Sequence, residues 1–468
     1  MGVLSALFEV VLSVFTFIVD TLMEMFSGAV PSRRKTKYDA DFGVADTSVV
    51  RSTGFYVANW RNSLKESNSH LIVIGGSGSQ KSVNVAFNTL LQPNSRSSYI
   101  IHDCNKELES TAAYFKKLGY KVLFLDYESE NSECFNFLEW CKKAESLEKT
   151  LGVLMSNSSE GPKDYWYQSA ENLTTFFGKA IWKYAGPEYR NMANVVHILN
   201  VFSYNPAAVD RWVVSNCNAQ TISEYKGIAA TPEKTLQCSL STAKTALAIF
   251  NNTSIQRLTG SNTIDFESFR KEPTVLFISN SPGTAHYYRS VSATFFQSFF
   301  DYVLEKLPSP GDLNLTLIID EAATIKLTSL SSFLALSRKF SVSCATIWQD
   351  LGQIEHLYGR HEAANIFANS NVKAFMPGPK PMETCAMLER LLGKYSIEEE
   401  GQLKTRELLT AQEIYQLRKI LLLNGNSKPV LLESHPYYEN KKLLQRSQLP
   451  EYVPAGNIHA STPPLLQF

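Results

Sequence analysis

Apolar and polar positions along the chain follow two rhythms. Short, nearly continuous apolar runs (Leu71-Ile-Val-Ile74, Ser98-Tyr-Ile-Ile-His-Asp103 and Lys121-Val-Leu-Phe-Leu-Asp126) alternate with stretches of helical spacing, from Ser82 to about Leu91 and then through Leu118. Strand, helix, strand, helix, strand in this order predicts a parallel sheet with helices on its faces. Ligands of such sheets bind at the carboxyl ends of the strands, where Asp103 and Asp126 fall, although either acid would also serve as a helix cap. Residues 37–69 are mixed in character and read as a short β-rich lead-in.

The strand rhythm returns late in the chain. Thr274-Val-Leu-Phe-Ile-Ser279, Leu313-Asn-Leu-Thr-Leu-Ile-Ile-Asp320, Val342-Ser-Cys-Ala-Thr-Ile-Trp348, Val372-Lys-Ala-Phe-Met376 and Pro429-Val-Leu-Leu-Glu433 are predicted strands, and Tyr287 to Leu307 a long helix. Between the two sets, regular helical spacing in 171–184, 193–203 and 237–250 predicts an all-helical insertion over 144–258. The expected order is therefore an N-terminal hydrophobic or amphipathic helix (1–30), a first α/β part (38–143), the all-α insertion (144–258), a second α/β part (259–442) and a loose, proline-punctuated tail (443–468).

Residues 3–26 are dominated by Val, Leu, Ile, Phe and Met, and Arg33, Arg34, Lys35 and Lys37 follow, the outline of a membrane segment with a cytoplasmic flank. Glu9, Ser13, Thr16, Asp20 and Glu24 fall on one stripe of that helix. Carboxylates at membrane depth normally face a partner. The pattern suits a membrane helix that associates through its stripe, an interfacial or partner-binding helix, or a helix packed on the protein's own body. A cleaved signal peptide fits least, since no positive residue precedes the apolar run.

Composition narrows the choices further. With 468 residues and 44% apolar content there is ample material for a buried core. Basic and acidic residues balance at 45 each, so contact with nucleic acid or a membrane surface would have to come from a local patch. The seven cysteines are scattered, without a C-x-x-C pair, and the eight histidines lack metal-ligand spacing; free thiols in a reducing compartment are expected, with no metal site of that kind.

The chemistry sits where the first apolar run breaks. Gly75-Gly76-Ser77-Gly78-Ser79-Gln80-Lys81-Ser82 is nearly the phosphate-binding pattern G-x-x-x-x-G-K-[ST], in which backbone N–H groups cradle phosphates, the lysine reaches them and the hydroxyl ligates Mg²⁺. Gly75, Lys81 and Ser82 fall on their positions, but Gln80 stands where a glycine precedes the lysine. Such a glycine serves positive φ and close approach to the ligand, and a side chain in a sparsely populated region costs on the order of 1–3 kcal/mol. The stretch reads as a real or degenerate phosphate loop, or as a plain Gly/Ser turn between strand and helix.

A second apolar run ends in Asp320-Glu321, the Walker B pattern: the first carboxylate supports Mg²⁺ together with Ser82, and the second positions the attacking water. Gln349 follows the run 342–348 and would reach a γ-phosphate if that strand pairs with the one ending at Asp320; otherwise it is a solvated glutamine. Arg338, just ahead of the same run, is a candidate arginine finger toward a neighbouring subunit.

With these residues in hand, the chain from about 38 to about 442 resembles the type IV coupling proteins, the TraG/TraD-type conjugative DNA-transfer ATPases of the additional-strand P-loop class. Ile72 to Ser82 is similar to the family's phosphate loop except at Gln80. Ile101-His-Asp-Cys-Asn-Lys-Glu-Leu108 resembles its Asp-Pro-Lys-Gly-Glu-Leu segment without the Pro and Gly, and Ile318-Ile-Asp-Glu-Ala-Ala-Thr-Ile325 its Leu-Leu-Asp-Glu-Phe-Ala-Asn block. Tyr165-Trp166, Leu258-Thr-Gly and Asp265-Phe266 look like its helical-domain landmarks. Ser337-Arg338, Gln349-Asp-Leu-Gly-Gln353, Leu357-Tyr-Gly359, Thr405 to Glu413 and Pro436-Tyr-Tyr438 look like later ones.

The resemblance implies a RecA-like P-loop nucleotide-binding domain with a central, mostly parallel sheet, an inserted all-α domain and an N-terminal hydrophobic helix. It implies ATP and Mg²⁺ as cofactors and a homo-hexamer at the cytoplasmic face of the bacterial inner membrane. It also implies delivery of relaxase-bound single-stranded DNA, or of a protein substrate, to a type IV secretion channel. Lys81, Ser82, Asp320 and Glu321 would form the nucleotide site, with Gln349 as sensor. A recruitment or scaffold relative that has lost turnover is the alternative, favoured by Gln80 as the motor is by Glu321.

Overall fold

The structure, a computed structural model, describes residues 39–44, 53–159, 161, 163–399, 402–454 and 461–468. The N-terminal helix expected over 1–30 lies outside them, and among the described residues no helix is long and apolar enough to cross a membrane. The strands in chain order are β1 (Tyr56–Val57), β2 (Trp60–Arg61), β3 (Leu71–Ile74), β4 (Ser97–Asp103), β5 (Lys121–Asp126), β6 (Thr274–Ser279), β7 (Asn314–Ile319), β8 (Val342–Trp348), β9 (Val372–Phe375), β10 (Lys394–Glu399), β11 (Gln402–Glu407), β12 (Ile420–Asn424) and β13 (Val430–Leu432).

One large α/β unit holds residues 53–378 and 418–468. Its sheet runs β13-β12-β9-β3-β8-β7-β4-β6-β5. From β9 to β5 every pairing is parallel, and β12 and β13 add an antiparallel edge. β3, β4, β6, β7 and β8 are buried along their whole length, which is why they appear in the sequence as near-continuous apolar runs. Each buried Phe, Ile or Leu side chain contributes about 1.5–3 kcal/mol, and the core on one face, with Phe55, Val73, Ile101, Phe115, Phe277 and Ile347, is built of such residues.

Every strand expected from the sequence is present in this sheet. Three strands were not expected. β12 is a short apolar run directly behind a helical pattern, and β10 and β11 carry charged, mostly exposed residues that leave no apolar alternation to read.

After β5 the chain leaves the sheet and forms the helices Ala144–Ser158, Tyr165–Tyr184, Met192–Tyr204, Pro206–Asn216, Ala219–Ala229, Glu233–Ala246 and Thr253–Leu258. It returns as β6, the direct neighbour of β5, with Leu125 opposite Ile278. Exit and re-entry are joined at a neck. The Cys134 N–H donates to Thr263 Oγ1 (2.8 Å) and the Thr263 N–H to the Cys134 carbonyl (3.0 Å), while the Asn136 N–H donates to Asn262 Oδ1 (2.8 Å). Helix Ala285–Glu305 then leads back toward β7.

A second compact unit is formed by residues 379–417 with residues 39–43, a stretch the sequence reading assigned to the second α/β part. It holds the antiparallel β10–β11 hairpin and the helices Met382–Leu392 and Ala411–Tyr415. The Ala40 N–H donates to the Lys394 carbonyl at 2.8 Å.

The tail also differs from expectation. Helix Lys441–Ser447 crosses its assumed start, and residues 461–468, though irregular, are hydrogen-bonded to helix Met192–Tyr204.

The amino ends of β7 and β8 are held by one buried cation. Arg270 donates to the carbonyls of Leu313 (2.9 Å), Ser341 (3.2 Å) and Phe340 (2.6 Å). Replacing it by methionine strands three buried acceptors at once. Arg270→Met is expected to lower stability by about 3 kcal/mol, read as a shift of the urea-unfolding midpoint at unchanged slope.

Candidate functional site

The glycines and the lysine of the phosphate-loop pattern fold as that chemistry requires. β3 ends at Ile74, and the Gly75 N–H donates to the Trp348 carbonyl at the end of β8 (3.1 Å). A Cβ at Gly75 would stand 2.5 Å from both Met376 Cβ and Ser79 Oγ, so only glycine lets the loop leave the sheet here. Gly78 has φ +75, and Gln80, where the pattern has glycine, has φ 63. The left-handed backbone is thus kept without the residue that adopts it at low cost.

Gln80 is held by its side chain. Its amide donates to Tyr438 Oη (3.1 Å) and accepts from Ser434 Oγ (2.9 Å). Ser434 and Tyr438 are site-supporting residues that sequence reasoning did not find, although Pro436-Tyr-Tyr438 was noted as a landmark. A second missing glycine behaves alike: Lys106, at the Gly place of the Asp-Pro-Lys-Gly-Glu-Leu segment, has φ 56, and its ammonium lies 2.8 Å from Asp126 and 3.2 Å from Glu128.

Behind the loop, residues Ser82–Ala86 wind as a π-helix that continues into Phe87–Leu90. Buried Lys81 donates to the Gly76 carbonyl at 3.1 Å. Ser82 Oγ donates to Asp320, 3.1 Å from Oδ2. Ser79 Oγ is buried with no hydrogen-bond partner among the described residues. A hydroxyl beside a buried carboxylate, a buried ammonium and an orphaned hydroxyl in one Gly-rich turn fit the donors and acceptors that a Mg²⁺–phosphate group takes.

β8 lies between β3 and β7, so the strands that carry Lys81 and Asp320 are separated by the one that carries Gln349. Asp320 is only 3% exposed; burial pushes it up to about 6, Glu321 adds to the rise and the Ser82 hydroxyl opposes it. His102 Nδ1 lies 3.2 Å from the Asp320 carbonyl, and burial lowers this ring to about 4, which keeps it neutral. Glu321 adopts a left-handed backbone, φ 49 and ψ 56, and Gln349 donates from Nε2 to Glu321 Oε2 at 3.3 Å. Gln353, which accepts from the Gln349 N–H at 3.0 Å, fixes that residue in turn. The structure thus brings Gly75 to Ser82, Asp320, Glu321 and Gln349 to one edge of the sheet.

Three acidic or basic candidates do other work in this chain. Asp103 is the helix cap: its carboxylate accepts from the N–H groups of Glu107 (3.1 Å) and Glu109 (3.0 Å), and burial pushes it up to about 7. Asp126 pairs with Lys106 and accepts from the Glu128 N–H. Arg338 is exposed and precedes β8, at the amino edge of the sheet, so it does not join the other site residues of its own chain.

All seven cysteines are free thiols, and no cluster of metal-ligating side chains occurs among the described residues.

The comparisons agree with this arrangement. Residues 29–458 match the family model described as type IV secretory system conjugative DNA transfer. No curated protein matches the sequence. Among solved structures, the plasmid coupling protein TrwB in complex with ADP and Mg²⁺ superposes with TM-score 0.71 at 16% identity, covering 92% of this chain and 98% of that one. TrwB bound to the non-hydrolysable ATP analogue ADPNP gives 0.68 at 17% identity, over 87% and 96% of the two chains. TrwB bound to the GTP analogue GDPNP gives 0.69 at 17% identity with the same coverages. At these identities the likeness is one of fold.

Asp103 and Asp320 both hold a proton more tightly folded than unfolded. The stability this gives is complete below the ordinary carboxylate range near 3.8 and is lost as pH rises through about 6 and about 7. Asp320→Asn removes the Asp320 part. The ligand-free variant is expected to be about 2 kcal/mol more stable than the parent at about pH 8 and equal to it near pH 4, measured by urea unfolding across that range.

Proposed function

Since the chain belongs to the type IV secretory system conjugative DNA-transfer family, we propose that it is a coupling ATPase. It uses a nucleoside triphosphate with Mg²⁺ to recruit relaxase-bound single-stranded DNA, or a protein substrate, and move it toward a type IV secretion channel. The observation that carries this reading is the meeting of Ser82 with Asp320 and of Glu321 with Gln349 at the carboxyl edge of adjoining strands. TrwB, which shares the fold, has been solved with ATP and GTP analogues and with ADP and Mg²⁺, which supports nucleotide as the ligand here.

In the proposed mechanism the N–H groups of the loop from Gly76 to Ser82 cradle the phosphates, and Lys81 exchanges the Gly76 carbonyl for phosphate oxygens. Ser82 and Asp320 hold Mg²⁺, which neutralises charge developing on the transferred phosphoryl group. Glu321 takes the proton of the attacking water, and Gln349 fixes its Oε2 for that task. Glu321 is the functional choice over Asp320 as base, because Asp320 is committed to Ser82. In a homo-hexameric ring Arg338, which faces away from its own site, is available to a neighbouring subunit. Residues 3–26 would tether the ring to the inner membrane, a role that rests on the apolar pattern and the basic cluster behind it.

The recruitment reading without turnover draws on one observation, the strained Gln80 tied to Ser434 and Tyr438. Because that tie keeps the loop in the left-handed form, Gln80 is compatible with turnover.

Turnover of ATP by the purified chain, with and without single-stranded DNA, tests both readings. Expected is DNA-stimulated hydrolysis that falls roughly 10²–10⁴-fold in Glu321→Gln with nucleotide binding retained, and is abolished with binding in Lys81→Ala. Hydrolysis that emerges only in Gln80→Gly would overturn the motor in favour of recruitment.

A further inference from the structure

Residues 461–468, Ser-Thr-Pro-Pro-Leu-Leu-Gln-Phe, lie in extended form on the helices Met192–Tyr204 and Pro206–Asn216. The contacts are those by which proteins read an extended peptide. Asn194, fully buried, uses both ends of its amide on the segment's backbone: Nδ2 donates to the Pro464 carbonyl (2.9 Å) and Oδ1 accepts from the Leu466 N–H (2.7 Å). One helical turn on, His197 Nε2 donates to the Leu466 carbonyl at 3.0 Å. Burial lowers the pKa of this ring, so the proton on Nε2 is set by the carbonyl it meets.

Side chains supply the selectivity. Phe468 packs against His197 and Trp212, with ring centroids 5.4 Å and 6.0 Å away. Pro463 is buried on Gly260, where an added Cβ would stand 3.0 Å from its ring. A cavity of about 530 Å³ runs beside the segment, lined by His197, Val201, Tyr204 and Ala208. Tyr204, 73% exposed, stands at this site, and Leu465 is half exposed, so the groove is wider than the segment that fills it.

We propose that this face of the helical region is a peptide-binding groove, and that the chain's own residues 461–468 close it in cis. The occupant it is built for is an extended segment of another protein with the same pattern. That pattern is a proline at the first buried position, a backbone N–H and two carbonyls read by Asn194 and His197, and an aromatic residue two places on. Such a segment binds only when the cis segment is displaced. Backbone hydrogen bonds supply affinity, and the proline and aromatic contacts supply choice.

The probe is a fluorescein-labelled peptide of residues 461–468, titrated by anisotropy into the full chain and into a variant that lacks those residues. Expected is saturable binding to the shortened variant and at least about tenfold weaker binding to the full chain, because the groove is already filled. The same peptide with Phe468→Ala is expected to bind about tenfold more weakly, a result that no misfolding of the protein can mimic. His197→Ala in the shortened variant should weaken the parent peptide by a similar factor. Equal binding to full and shortened chains would overturn the closure in cis. Absence of binding to a shortened variant whose circular dichroism and unfolding midpoint match the full chain would overturn the groove.

Discussion

The chemistry of this molecule depends on three parallel strands that end at one level. Ile74 of β3 pairs with Trp348 of β8, and Ile319 of β7 with Thr346 of β8. The residues just beyond these ends, the Gly-rich turn, Asp320-Glu321 and Gln349, therefore emerge together. A slip of one residue in either pairing would turn the apolar set of a strand to its other face, so the buried core enforces the register that the site needs. The hydroxyl–carboxylate contact between Ser82 and Asp320 is a product of the packing of Val73, Ile318 and Ile347 as much as of its own energy.

Backbone strain gathers at the same edge. Gln80, Lys106 and Glu321 are left-handed residues with side chains, each at a cost on the order of 1–3 kcal/mol. Each is fixed by what its side chain holds: Ser434 and Tyr438 for Gln80, Asp126 and Glu128 for Lys106, Gln349 for Glu321. At two of these places the family pattern offers glycine. The long side chains that replace it supply anchors where glycine would supply freedom, so the loop's shape is held from outside as well as from within.

Much of this was legible in the sequence. Buried parallel strands are unbroken apolar runs, so β3 to β9 and β13 could be read directly, and with them the carboxyl ends where Lys81, Ser82, Asp320, Glu321 and Gln349 converge. The cap role of Asp103 was one of two readings, and only the positions of the Glu107 and Glu109 N–H groups decide between them. What could not be read rests on contacts distant in sequence or on elements without an apolar signature. The tie from Gln80 to Ser434 and Tyr438 spans most of the chain, and the β10–β11 hairpin displays charged residues on both faces. Residues 461–468 have a composition that reads as loose, and nothing local announces that Asn194 and His197 will meet their backbone.

The neck between Cys134–Asn136 and Asn262–Thr263 gives the helical region the geometry of a cassette. Its two ends already lie within hydrogen-bond distance, and the strands on either side are adjacent whether or not the helices intervene. Excising it and bridging the neck with a short turn would leave the order of the sheet unchanged, since closing a short loop there asks little of the chain. The sheet and the helical region can therefore diverge at different rates, with one set of residues answering to nucleotide chemistry and the other to whatever the cassette grips.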